Sequence, residues 1–243
     1  MRDRVLLVGA TGAIGKRLVP LLVDAGYEVF GTTRSQAKSA ELEGAGVTPV
    51  VVDVFDAQAV THVFASIRPQ VVINQLTDLR GLDPNNPAEA LARNARIRVE
   101  GTRNLVAAGL DAGVQRMIAQ SIAWAYAPSP PPSTEDDTLD LSAEGTRATT
   151  VRGVVALERL TMHSSPMSGM VLRYGRLYGP GTARTMPGEP PVLHVDAAAY
   201  AALLALQKAA SGIFNIVEDG DFVANAKARR ELGWDPAFRL DRQ

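Results

Sequence analysis

Residues 5–18 read VLLVGATGAIGKRL, and how this stretch is read decides the fold. Val5 to Val8 is a continuous apolar run, the pattern of a strand buried on both faces. Gly9, Gly12 and Gly15 follow in a G-x-x-G-x-x-G spacing. Ile14, Leu18, Leu21, Leu22 and Ala25 then recur at helical intervals up to Gly26, a good residue just past a helix end. A strand, a glycine turn and a helix in that order make a pocket for a pyrophosphate. Glycine allows the tight turn and the close backbone approach, and the helix start offers free N–H groups and a positive dipole end. Thr11, Ala13 and Ile14 share the turn and are expected on the ligand with the three glycines. Pro20 removes one backbone hydrogen bond and predicts a kink in a helix over 13–25.

Outward from this unit the same alternation continues. EVFGTT (28–33), TPVVVD (48–53), QVVIN (70–74), QRMIAQS (115–121), GMVLRYG (169–175) and GIFNIV (212–217) read as strands. Helices are predicted over 88–112, 146–163 and 196–210, with a short amphipathic one in NAKARRELGW. Strand–helix alternation at this pace predicts right-handed βαβ units. The fold class is α/β, a Rossmann-type doubly wound parallel sheet with helices on both faces. No repeat and no interdomain linker is visible. Residues 1–243 are therefore expected to form a single Rossmann-type domain, with 1–175 as the dinucleotide-binding core and 176–243 as a reduced substrate region interleaved with the last strands.

The strand ends supply the candidate site. The second strand ends in Thr33, Arg34 and Ser35, with no acid for a ribose 2′-hydroxyl. A guanidinium there suits a 2′-phosphate, so the expected cofactor is NADP(H) in preference to NAD(H), held by Thr33 and Arg34. Asp53, followed by Val54, ends the third strand, where it would meet the adenine amino group. Gln75, Leu76 and Thr77 would pass beside the ribose and pyrophosphate. The proline- and acid-rich stretch APSPPPSTEDDTLDLSAEG (127–145) is a loop. It is either a solvated connection or a lid over the strand end that it follows.

Composition narrows the class. Apolar residues make up 46% and charged residues 21%, as in an ordinary globular chain. The net charge of −1 and the lack of a basic run argue against nucleic acid. With no cysteine, disulfides and thiolate chemistry are absent. His62, His163 and His194 are too scattered to suggest a metal site. The apolar run in MRDRVLLVGATG is too short for a signal peptide. HVDAAAYAALLALQKAA carries His194, Asp196 and Lys208, so it reads as a core helix and not a membrane span. A cytoplasmic protein without a membrane partner is expected.

GATGAIG, VVDVFD, VEGTRNLVAAGLDAGV, LRYGRLYGPGT, LHVDAAA and NAKARRELGW, in this order over nearly the whole chain, resemble the extended and atypical short-chain dehydrogenase/reductases, the NAD-dependent epimerase/dehydratase family. The resemblance implies an NADP(H)-dependent oxidoreductase or epimerase-like enzyme. Its substrate would be a small molecule bearing a carbonyl or hydroxyl group, such as a sugar nucleotide or secondary metabolite. It puts the family's catalytic Ser or Thr at Ser121. It puts the nicotinamide-side loop at Tyr174, Gly175, Arg176 and Tyr178, with Arg176 replacing the usual Asn. The family's Tyr-x-x-x-Lys pair falls on Thr150 and Val154, within TTVRGVVALERL (149–160). Neither residue can supply a carbonyl proton tuned by a nearby lysine.

Three accounts stay open. In the first, another residue is the proton donor: Tyr126, five residues after Ser121, or Tyr178 on the opposite wall. The scaffold is otherwise reused by a non-redox isomerase or cyclase, or it serves an NADPH-binding regulatory protein. Trp124 either lines the pocket or packs under the proline loop, and Arg173 reads as a structural ion partner. Compared with the family, the stretches 182–193 and 218–226 are short. That shortens the substrate lobe and predicts apolar surface there for a homodimer to cover.

Overall fold

The computed structural model describes residues 3–79, 82–83, 85–208 and 211–240. β1 (Arg4–Val8) turns at Gly9 into α1 (Ala13–Asp24), and β2 (Glu28–Thr33), α2 (Ser39–Gly44), β3 (Thr48–Val51), α3 (Ala57–Ile67) and β4 (Val71–Asn74) follow. The long helix expected next is present but interrupted. α4 (Ala88–Arg96) runs through a π segment (Ile97–Gly101) into α5 (Thr102–Asp111). β5 (Arg116–Ile122), α6 (Gly145–Met162) and β6 (Ser168–Tyr174) come next. β7 (Arg176–Tyr178) and β8 (Val192–His194) pair in a small parallel ribbon. α7 (Val195–Gln207), β9 (Gly212–Ile216) and a π segment (Ala228–Leu232) close the chain.

Seven strands form one parallel sheet in the order β3-β2-β1-β4-β5-β6-β9. The chain builds outward from β1 to β3, then returns to the other side of β1 at β4. The reversal leaves a crevice beyond the C-terminal ends of β1 and β4, the place where open α/β sheets bind ligands.

Strand periodicity explains the two helical layers. In β1, Val5 and Leu7 join the core under α1 and α7, while Leu6 and Val8 join the core under α3 and α5. Val71 and Ile73 against Val72, and Ile118 against Met117, split the same way. A strand whose alternate side chains all find a core must be apolar throughout, and each fully buried Val or Leu contributes about 1.5–3 kcal/mol. α7 is so rich in alanine because it lies flush on α1 and the sheet; Ala197, Ala198, Ala199, Ala201 and Ala202 are all fully buried. Pro20 lies on the exposed side of α1, and the helix continues through it to Asp24.

The loop over 127–144 is pinned and not free. The Ala127 N–H bonds the Thr138 carbonyl, and the Asp140 N–H bonds the Ala125 carbonyl. Ser133 exchanges backbone hydrogen bonds with Phe222 and Ala224, and the Glu135 carboxylate accepts from the Asn215 N–H at 2.8 Å. The loop thus straps across the outer edge of β9 and occupies an N–H that an edge strand would otherwise leave unpaired.

Candidate active site

The glycine turn is built to take a diphosphate. Gly9 has φ +88°, and a Cβ there would meet the Gln75 carbonyl oxygen at 3.0 Å. A Cβ on Gly15 would lie 2.4 Å from the Gly9 carbonyl oxygen, so the start of α1 is pressed onto the turn. Gly12 is the N-cap, and no side chain caps this end. The first-turn N–H groups are left for a ligand with the dipole's positive end behind them. Thr11, Ala13 and Ile14 lie in this cradle. The residues present therefore fit a dinucleotide.

The adenosine side is formed by the ends of β2 and β3. Thr33 is buried and its hydroxyl oxygen accepts the Ser35 N–H at 3.1 Å. Arg34 is exposed beside it, with Nη1 3.9 Å from Asp78 Oδ2. No sequence signal marks this acid, because Asp78 lies in the irregular chain after β4, where no periodicity singles out a position. β3 stops at Val51, so Asp53 lies beyond the strand and not at its end; its Oδ1 accepts the Phe55 N–H at 3.0 Å. Asn104 holds the Val54 carbonyl at 2.8 Å and fixes this corner. On the other wall Leu76 N–H bonds Asn74 Oδ1, Thr77 is exposed, and Gln75 is buried. Gln75 Nε2 donates to the Tyr174 hydroxyl at 3.3 Å, and its Oε1 is buried without a partner among the described residues. Tyr174 is sealed in the core, and burial raises its pKa. Gly175 has no room for a side chain: a Cβ would lie 2.7 Å from the Val192 backbone.

Ser121, Arg173 and Asn215 are register partners across β5, β6 and β9 and form one buried row. The Ser121 hydroxyl donates to Glu158 Oε1 at 2.6 Å. Arg173 grips both oxygens of that carboxylate, Nε to Oε1 at 2.9 Å and Nη2 to Oε2 at 2.7 Å. Its Nη1 donates to the Tyr126 hydroxyl at 2.9 Å, which itself donates to Asn215 Oδ1 at 2.6 Å. Burial disfavours the Arg173 charge, but the bonds and charge of Glu158 outweigh it and raise the pKa. Burial raises Tyr126 as well, against the pull of Arg173. Arg98, buried in the π segment, is lowered to about 10 by desolvation, with Glu158 acting the other way. The network thus occupies the hydroxyls of Ser121 and Tyr126 beneath the strand ends. Its hub, Glu158, carries a legible signal: an acid within the mainly apolar run VVALERL and a base within MVLRY require each other.

The two positions to which the resemblance assigns the family's pair, Thr150 and Val154, hold a hydroxyl bonded within its own helix and a buried aliphatic side chain. The Thr150 hydroxyl donates to the Thr146 carbonyl of its own helix at 3.2 Å. Val154 is fully buried in a cluster with Ile122, Ala125 and Val151, on which Trp124, Leu139 and Ala143 pack. Trp124 therefore packs under the strap, and the guanidinium of Arg176 sits over its ring, 4.8 Å from the centroid. Tyr178 is half-buried on β7. Its hydroxyl donates to Glu218 Oε1 at 2.7 Å and receives Arg239 Nη2 at 3.2 Å. Burial and the Glu218 carboxylate both raise its pKa. A cavity of about 700 Å³ is elsewhere. It lies between α5 and α6, lined by Val106, Leu110, Val155 and Leu160 with Arg103 and Arg152 at its rim.

The profile of the NAD dependent epimerase/dehydratase family matches residues 5–190. The 3-diazoavenalumate denitrifying reductase of a Streptomyces species is 41% identical over 238 residues, 89% of this chain and 76% of the relative. Among solved structures, UDP-glucose 4-epimerase of Stenotrophomonas maltophila, with NAD and formylated UDP-arabinopyranose bound, superposes with a TM-score of 0.78 at 19% identity over 99% of this chain and 94% of that one. UDP-glucose 4-epimerase of Thermotoga maritima gives 0.76 at 18% identity over 97% and 94%. These two share the fold. The matched profile, the Streptomyces relative and the glycine cradle at the sheet's reversal point together show that the chain belongs to the NAD-dependent epimerase/dehydratase family of NAD(P)-dependent oxidoreductases and epimerases.

Proposed function

We propose that the protein is an NADPH-dependent reductase that places hydride on a carbon whose product needs no proton from the enzyme. A diazo-bearing small molecule is the substrate class. The observation carrying this reading is the state of the pair positions: Val154 is sealed among Ile122, Ala125 and Val151, and the Thr150 hydroxyl is turned to its own helix. A carbonyl reductase must protonate an alkoxide, and a tuned acid is worth about 10²–10⁴ in rate. A diazonium carbon makes no such demand. The hydride pair forms the new C–H bond, N2 leaves with the former C–N pair, and charge balances. A diazo compound is also named as the substrate of the Streptomyces relative, which matches along nearly the whole chain.

The reduced nicotinamide supplies the hydride when bound. Gly9, Thr11, Gly12, Ala13, Ile14 and Gly15 would hold the pyrophosphate, Asp53 and Val54 the adenine, Gln75, Leu76 and Thr77 the riboses, and Tyr174 and Gly175 the nicotinamide side. Thr33 and Arg34 would take the 2′-phosphate, drawing Arg34 from Asp78. Ser121 and Tyr126 serve as positioning residues that lock β5, β6 and α6 below the reacting carbon, and Tyr178 shapes the opposite wall through Glu218 and Arg239. The molecule acts as a homodimer joined along the apolar groove between α5 and α6. The direct test follows N2 release and NADPH oxidation with 3-diazoavenalumate. Equal amounts of each support the reading. NADPH oxidation without N2 speaks for carbonyl chemistry.

Cofactor choice has its own test. Arg34→Ala should cut the preference for NADPH over NADH about tenfold or more, the value of a charge-assisted hydrogen bond. Calorimetric titration of both cofactors measures it, and equal affinities in the unaltered protein would remove Arg34 from the site.

A further inference from the structure

We infer that Arg176, set against Trp124, is the anchor for a carboxylate on the substrate, so that the enzyme selects small organic anions. The inference rests on the proposed reductase reading for its substrate but on separate observations for its site. Arg176 starts β7, directly after β6, and Trp124 follows β5 by two residues. Both therefore stand at the C-terminal ends of adjacent strands, on the side of the sheet where ligands bind. The backbone of Arg176 is fixed, its N–H bonding the Pro191 carbonyl at 2.7 Å and its residue pairing with Val192 in the small ribbon.

The guanidinium is poorly satisfied where it stands. Nη1 is buried and has no hydrogen-bond partner among the described residues. The ion pair of Nη2 is with Glu189 at 3.5 Å, and that carboxylate's side chain is 80% exposed, so solvent screens it. A guanidinium carries five donors in a planar fork matched to a carboxylate. A buried donor without an acceptor costs free energy until one arrives. The indole beneath restricts the orientation of the group by cation–π contact, which lowers the ordering cost of binding.

Charge placement makes the same point. Trp124 packs on the cluster that contains Val154, the position of the family's lysine. Arg176 thus puts a cation on the ring that packs against this cluster, while α6 itself carries none at position 154. A lysine in the first place tunes an acid; an arginine in the second, with Nη1 unpartnered and only an exposed carboxylate near Nη2, holds an anion. Glu189 then acts as the exposed competitor that the substrate displaces.

Calorimetry with the NADPH-loaded full chain tests this without turnover, using trans-cinnamate and its uncharged twin trans-cinnamamide as probes. Cinnamate is expected to bind about tenfold or more tightly than the amide. Arg176→Gln should erase that preference while NADPH binding persists, Arg176→Lys should keep part of it, and Glu189→Gln should tighten cinnamate alone. Equal binding of the two probes, no binding of either, or a preference that survives Arg176→Gln overturns the assignment. Should Arg176→Gln not fold, Glu189→Gln decides: tighter cinnamate supports the anchor and unchanged affinity overturns it. Because no hydride moves in this experiment, its failure is distinct from failure of the diazo reductase reading.

Discussion

Glu158 receives three hydrogen bonds on two oxygens, one from Ser121 and two from Arg173, with no solvent to replace any of them. Glu158→Ala should therefore destabilise the fold by about 3–5 kcal/mol, the usual penalty for leaving half of a buried ion pair, as read by urea unfolding. Tyr126→Phe should cost about 1–3 kcal/mol, because Arg173 Nη1 and Asn215 Oδ1 each lose a partner. If Tyr126 only positions its neighbours, kcat in the same variant should fall less than tenfold. A fall of about 10²–10⁴ would make it the proton donor. Residues of this kind were half-visible in the sequence. A charge inside a buried strand announces that it has a partner. Which hydroxyls the pair also captures depends on register across three strands, and no local pattern encodes that.

Among the elements, the strands were the most legible, since a sheet covered on both faces demands apolar runs with no polar alternation. The strap was the least legible. Its prolines and acids say that it is not helix or strand, but its partners at Phe222 and Asn215 are about 80 residues away or more. α1 offers a clean test of the cradle. Gly15→Ala would put a methyl 2.4 Å from a backbone oxygen, and backbone cannot swing aside, so NADPH binding and thermal stability should fall together. α7 offers a pH test. His194 caps it by accepting the Asp196 N–H on Nδ1 at 3.2 Å, which requires a neutral ring. Burial and, behind it, the Arg239 charge lower its pKa below the ordinary 6.5. The folded protein thus binds fewer protons than the unfolded chain. The cap's contribution, about 1 kcal/mol, is complete above pH 6.5 and fades as pH falls through the lower folded value. His194→Asn keeps a capping acceptor and should flatten the stability profile in that window. An unchanged slope would assign it to other groups.

At the scale of the whole molecule, alternation and handedness predict a doubly wound parallel sheet, while the strand order, and with it the crevice at the β1–β4 reversal, is seen only in the fold. Association was less legible. The sequence pointed to 182–193 and 218–226, where Met186 and Phe222 are indeed exposed. The groove between α5 and α6, where the dimer is proposed, depends on two helix faces that are distant in sequence and meet only in the fold. Leu110 and Leu141 on that groove are exposed, so Leu110→Glu should leave the monomer folded and shift a dimer to monomer in light scattering at micromolar concentration. A dimer that persists would move the interface elsewhere.

In the proposed reaction this scaffold, with an apolar cluster around the position where the resemblance places a lysine, moves hydride to carbon without an acid. This reaction is tested most directly by turnover of 3-diazoavenalumate with NADPH deuterated at the transferable C4 position, followed by mass spectrometry of the product. One deuterium is expected on the carbon that lost its nitrogen, with one N2 released per NADPH oxidised. Deuterium on a carbinol carbon with nitrogen retained, or product formed with no deuterium, would contradict it.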